Sequence, residues 1–100
     1  MLTRLDLHQE LLKFCKHVYF QPPPTVRMQY PAIVYSLNSL DNSHADNDIY
    51  NQRTQYMVTI IDEDPDSKIF ESFKKYRRAR FSRAYTADQL NHFIFTIYNT

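Results

Sequence analysis

A chain of 100 residues with a formal net charge of +1, 43% aliphatic, aromatic and cysteine residues and no glycine can bury one core but not a second independent one. A pI near 7.9 excludes the strongly basic composition usual for a dedicated DNA-binding domain. The lone Cys15 excludes an intrachain disulfide and a thiolate pair for zinc, and no apolar run approaches the ~20 residues that cross a bilayer.

Residues 1–100 therefore read as a single domain made in a reducing compartment, with eight Tyr and seven Phe filling much of its core. The opening MLTRLDLHQELLKF lacks the continuous apolar core of a signal peptide, so a soluble, unexported chain is expected. Without glycine, turns that need positive φ are expected to use Asn, Asp or a rearranged loop.

Leu7, Leu11, Phe14 and Val18 recur on one helical face, and Thr3 with Asp6 has the form of a capping box. This predicts a first helix from about Arg4 to Lys16, with Cys15 as a buried structural thiol. VYF is a short candidate strand, and QPPPT after it is a rigid connector or sheet edge. Pro31 forces Tyr30 out of helical geometry, and AIVYSL has the content of a strand. A polar loop, Asn38 to Tyr50, separates it from TQYMVTIID, whose two alternate faces both carry bulk, as in a central strand covered on both sides.

DEDPDSKIFESFKKY predicts a second helix capped by Asp64, with Pro65 at its first position, Lys74 and Lys75 at its negative end, and Ile69, Phe73 and Tyr76 as its apolar stripe. ARFSRAYT and LNHFIFTIY complete the chain as strands around a short TADQ turn. The fold class expected is α+β: two helices packed on a mostly antiparallel sheet of four to five strands.

Asp41, His44, Asp46 and Asp48 share the polar loop and invite a metal reading. An EF-type loop opened by Asp41 needs Gly where Asp46 stands and Glu where Gln52 stands, so the pattern fails and no metal is expected. Asp62, Glu63, Asp64 and Asp66 are explained by capping and the helix dipole. No nucleophile elbow, zinc-protease motif or phosphate-cradling loop accompanies them, and His92 reads as a structural or interface imidazole. No enzyme activity and no cofactor are expected.

The stretch KKYRRARFSR carries Lys74, Lys75, Arg77, Arg78, Arg80 and Arg83 with no acid among them. The lysines suit a helix C-terminus, which leaves the four arginines around the start of a strand. Plain alternation puts Arg78, Arg80 and Ser82 on one face and Ala79, Phe81, Arg83 and Tyr85 on the other. The planar guanidinium fits carboxylate or phosphate equally, and a charged edge in solvent is the third reading. Acids gather instead in SLDNSHADNDI and DEDPD, so patches of opposite sign can meet head to tail between identical subunits or pair within one.

YFQPP, YPAIVY, DPDS and YTADQLNH, spread between about Val18 and Tyr98, resemble segments of small tail-terminator-like proteins of long-tailed bacteriophages, a head-to-tail joining family. The resemblance implies an α+β virion protein that forms a hexameric ring at the head-proximal end of the tail tube. It implies as partners other copies of the chain, the tail tube protein and the head-tail connector or head-closure protein, with DNA passing through the ring. Such a protein is assembled in the host cytoplasm, sits in the virion tail or neck and contacts no membrane.

On this reading Arg77, Arg78, Arg80 and Arg83 contact a neighbouring subunit, the tail tube or the lumen. Asp41, His44, Asp46 and Asp48 lie on an inter-subunit loop. A neck, head-closure or tail-completion role is the alternative, and a small nucleic-acid-binding module built on KKYRRARFSR is the third.

Overall fold

The computed structural model describes residues 3–43 and 51–99. The chain order is α1 (Arg4–Leu12), β1 (Val18–Phe20), β2 (Ala32–Ser43), β3 (Asn51–Asp62), α2 (Lys68–Phe73), β4 (Ala79–Ala87) and β5 (Leu90–Asn99). The five strands lie in one open sheet in the order β1-β2-β3-β5-β4. β1 runs parallel to β2, and every other neighbouring pair is antiparallel. The expected α+β class with a mostly antiparallel sheet is thus present, and no helix among the described residues is long and apolar enough to cross a membrane.

α1 begins where the capping box places it. Asp6 N–H donates to Thr3 Oγ1 at 3.1 Å and Thr3 N–H to Asp6 Oδ2 at 3.0 Å, and these bonds hold the Asp6 carboxyl below its usual range. The helix ends at Leu12 rather than Lys16. Phe14 N–H bonds back three residues to Leu11 O, a tightened last turn that releases the chain early. This exit sends the Phe14 ring against Phe73 and Tyr76, at centroid distances of 5.0 and 5.5 Å, and brings Cys15 Sγ to 3.3 Å from Pro31 O. Burial pushes the Cys15 thiol up, as expected of a buried structural cysteine.

α2 differs more from expectation. Its N-cap is Ser67, not Asp64: the buried Ser67 Oγ accepts from Phe70 N–H at 3.2 Å. The acids before it form successive turns, with Asp64 N–H donating to Asp62 Oδ1 and Asp66 N–H to Asp64 Oδ1. Asp64 thus closes a turn of its own, Pro65 falls within it, and the helix starts later, at Lys68.

Both helices cover the same face of the sheet. Leu7 and Leu11 of α1 and Phe73 of α2 join Ile33, Tyr35, Tyr56, Val58, Ile60, Phe93, Phe95 and Ile97 in one buried cluster. Each fully buried large side chain contributes roughly 1.5–3 kcal/mol. Phe70 stacks on Phe93 at 4.3 Å, and Phe73 meets Phe95 edge-on at 4.8 Å. Tyr76, just past α2, donates its hydroxyl to Glu10 Oε2 at 2.6 Å and so ties the two helices together. Burial and that carboxylate both push the Tyr76 phenol up.

Tyr35 reaches from the sheet into α1. Its ring is fully buried, and its oxygen accepts from Arg4 Nη1 at 3.2 Å while lying 2.7 Å from His8 Nδ1. The Tyr35 hydroxyl and His8 Nδ1 thus share a hydrogen bond whose direction follows the His8 tautomer.

β3 takes the central position expected of it, but among the described residues only one of its faces is covered by a layer. Val58 and Ile60 are fully buried under the helices, while Met57 on the other face is 37% exposed. The expected polar loop also shrinks, because β2 continues to Ser43 and pairs through Asp41↔Arg53 to Ser43↔Asn51. Antiparallel pairing satisfies the backbone regardless of the polar side chains, and a bulge at Asn38 absorbs the change of register. Asp41 is therefore a strand residue, and His44, Asp46 and Asp48 lie outside the described residues.

β4 and β5 are joined by a two-residue turn, with Ala87 opposite Leu90. Asp88 and Gln89 both take left-handed backbone, at φ 52° and 63°, and Gln21 does so at 43°. The expectation that Asn and Asp serve such positions fails at both glutamines. The tight hairpin demands two left-handed residues in succession, and the chain offers no glycine for either.

Two outcomes are expected. Gln89→Gly removes the Cβ crowding of the left-handed backbone and raises stability by about 1 kcal/mol, read from the urea midpoint. The second concerns His8, whose pKa is lowered from the ordinary 6.5 first by burial and then by the Arg4 charge. Because the folded value lies below the unfolded one, the contribution is fully present above 6.5 and lost as pH falls through the folded pKa. The wild-type midpoint should fall from about pH 7.5 to about pH 5, and His8→Gln should flatten that fall.

Candidate functional site

β4 is an edge strand, bounded by β5 on one side and, among the described residues, by no strand on the other. Its register fixes where the arginines stand. Arg80 pairs with Thr96 and Phe81 with Phe95, then Arg83 pairs with Ile94, Ala84 with Phe93 and Tyr85 with His92. Ser82 is the extra residue of a bulge between Phe81 and Arg83.

That one residue resets the alternation. Phe81 stays on the helix side, 5.8 Å from Phe70 and 5.4 Å from Phe95 between ring centroids. Arg80, Arg83 and Tyr85 all fall on the face away from the helices. The expected division, with Arg83 beside Phe81 and opposite Arg80, is therefore wrong. A residue added to one strand moves everything beyond it to the other face.

Arg77 and Arg78 lie in the turn before β4, so Arg78 is not a strand residue as alternation assumed. Lys74 forms an exposed ion pair with Glu71 at 2.9 Å and covers the Phe70 ring at 5.2 Å. This accounts for Lys74 at the close of α2. Among the described residues none of the four arginines forms a salt bridge.

The open face carries more than its arginines. Tyr85 stacks on His92 with centroids 4.6 Å apart and planes 7° from parallel, and the Arg83 guanidinium lies 5.9 Å from the Tyr85 ring centre. His92 Nδ1 lies 3.2 Å from Leu90 O, in keeping with the structural imidazole expected. Register adds Met57, Thr59, Ile61, Ile94 and Thr96 to the same face. Beyond them, Gln55 Nε2 donates to Tyr98 Oη at 3.2 Å and Asn38 Nδ2 to Gln55 Oε1 at 3.0 Å. Tyr85 and Tyr98 escaped notice in the sequence as members of one surface. The two-residue turn at Asp88–Gln89 was the signal that pairs Tyr85 with His92.

Carboxylates of DEDPD, with Asp88, occupy the far end of the molecule, while Asp41 pairs with Arg53 towards the end where β4 starts. β2 starts, β3 ends and β4 turns into β5 at that end. An open cleft of about 500 Å³ lies there, lined by Tyr30, Glu63, Asp88, Gln89 and Leu90. Asn91 Nδ2 donates to both Asp62 O and Glu63 O, at 3.2 and 3.3 Å, and fastens this end to β5. Arg77 and Arg78 stand at the opposite end of β4, about 30 Å away along nine strand residues. Among the described residues no three His, Cys, Asp or Glu side chains gather to hold a metal ion.

Compared with known proteins, the chain matches no protein-family model and no curated protein.

Deleting Ser82 tests the reset. Without the extra residue Arg80, Phe81, Arg83 and Ala84 stand in unbroken alternation opposite Thr96, Phe95, Ile94 and Phe93, so Phe81 keeps the helix side and both arginines the open face. The denaturation midpoint of the deletion should then stay near that of a Ser82→Ala control, whereas Phe81→Ala, which removes the Phe70 and Phe95 contacts, should lower it by the equivalent of ~1–3 kcal/mol.

Proposed function

We propose that this chain is a ring-forming structural subunit of a phage virion, a tail terminator at the head-proximal end of the tail tube. The observation that carries the proposal is the separation of charge along β4. Arg77 and Arg78 stand at one end, Glu63 and Asp88 line a cleft at the other, and no salt bridge among the described residues neutralises either group. Identical subunits with ends of opposite sign join head to tail, and such a contact closes into a ring when the rotation between subunits permits.

The resemblance supports the same reading from another direction. YPAIVY contributes Tyr30 to the cleft, Glu63 immediately precedes DPDS, and YTADQLNH contributes Asp88, Gln89 and Leu90. Segments far apart in the chain thus meet at the carboxylate-bearing end. The proposed role involves no reaction and no cofactor. The tail tube and the head connector are the partners on the two faces of the ring.

Removal of the gene tests the role. Overlong tail tubes are expected. Finished tails of normal length lying unattached beside leaking heads would instead give the chain a neck or closure role. Purified protein should form rings by electron microscopy, more weakly as salt rises, and Arg77→Glu with Arg78→Glu should disperse them.

A further inference from the structure

We propose that the open face of the sheet, through Arg80, Arg83 and Tyr85, binds single-stranded nucleic acid. The proposal does not depend on ring formation. It rests on the arrangement that the bulge at Ser82 creates. Skipping one residue makes Arg80 and Arg83 consecutive on the same face, about 7 Å apart along the strand. Neighbouring phosphates of an extended single strand can span that separation. Neither arginine has a salt bridge among the described residues, and the positions of β3, β4 and β5 on this face carry no carboxylate, Asp41 standing on β2 opposite Arg53.

Rings stand beside the charges. The planes of Tyr85 and His92 are almost parallel, and because β4 is the sheet edge, no strand covers the outer side of Tyr85, which is 44% exposed. A base can add to that stack while Arg83, already near the ring, holds the adjoining phosphate. The sheet offers no projecting helix to enter a duplex groove, so an unpaired strand fits this surface better than a double helix.

A protein partner fits the face less well. Ile61 and Ile94 are already 94–95% covered, at 6% and 5% exposure, so Met57 and Tyr85 are the large apolar groups left exposed there. A stable protein interface buries roughly 800 Å² on each partner around an apolar centre, and these two side chains do not provide one. Glu63 and Asp88 at the cleft repel phosphate and disfavour a strand that runs towards that end of β4.

The test is fluorescence anisotropy of a labelled oligothymidylate of about 12 nucleotides, titrated with the full chain from low to high salt. Binding that weakens with salt is expected, with the duplex of equal length bound more weakly. Arg80→Ala with Arg83→Ala should flatten the log–log salt dependence by about 1.4, or ~0.7 for each phosphate released. Tyr85→Ala should weaken binding about tenfold, and Lys68→Ala on α2 should leave it unchanged.

Arg80→Lys with Arg83→Lys keeps the charge and should keep the salt dependence, which decides the matter if the alanine pair lowers the folded fraction. No binding at low salt overturns the proposal, as does equal affinity for duplex. It also fails if the folded alanine pair binds unchanged, or if that pair disrupts self-association while binding stays intact.

Discussion

Phe73 is the ring on which this architecture turns, because it is fully buried and touches every layer at once: Phe14 at 5.0 Å, Tyr76 at 5.4 Å and Phe95 at 4.8 Å. α1 has nine residues and α2 six, both below the length at which a helix holds itself together in water. They persist because rings from the helices and from β5 interlock between them. Tyr35 does the same further along, carrying a hydroxyl from the sheet into α1 where Arg4 and His8 meet it.

A consequence of this one-sided packing is the bareness of the opposite face. With both helices drawn to the same rings, nothing in the described chain lies over β5 and β4 on the other side. The apolar residues there are small in number and largely covered by neighbours, so the face stands in water without exposing a broad apolar patch. β4 guards the sheet edge with arginines and a bulge, both of which discourage stray strand pairing. The same two features gather charge in one place, and an edge protected in this way is also an edge equipped to meet an anion.

Much of the layout was legible in residue patterns. The capping box at Thr3 and Asp6 marked the start of α1, Pro31 marked the approach to β2, and alternation marked β3 and β5. The site was less legible. KKYRRARFSR is one stretch in the sequence but three environments in space: Lys74 beside Glu71 at the end of α2, Arg77 and Arg78 in a turn, and Arg80 and Arg83 on the open face. Ser82 carries no mark of a bulge, since serine is common in strands, turns and loops alike, and glycine, the usual signal, is absent from the chain. Ser67 was passed over as a cap for a related reason: the preceding acids look like better caps until their side chains are seen engaged in turns.

Residue order alone determined the class of the fold, one core rich in rings, and two pools of charge of opposite sign, because local propensity and apolar periodicity act over a few residues. Only tertiary structure decided where the DEDPD acids stand relative to the arginines and which arginines share a face. Those outcomes depend on strand order and on a single unpaired residue in a ladder, and both are set by the pairing of segments distant in the chain.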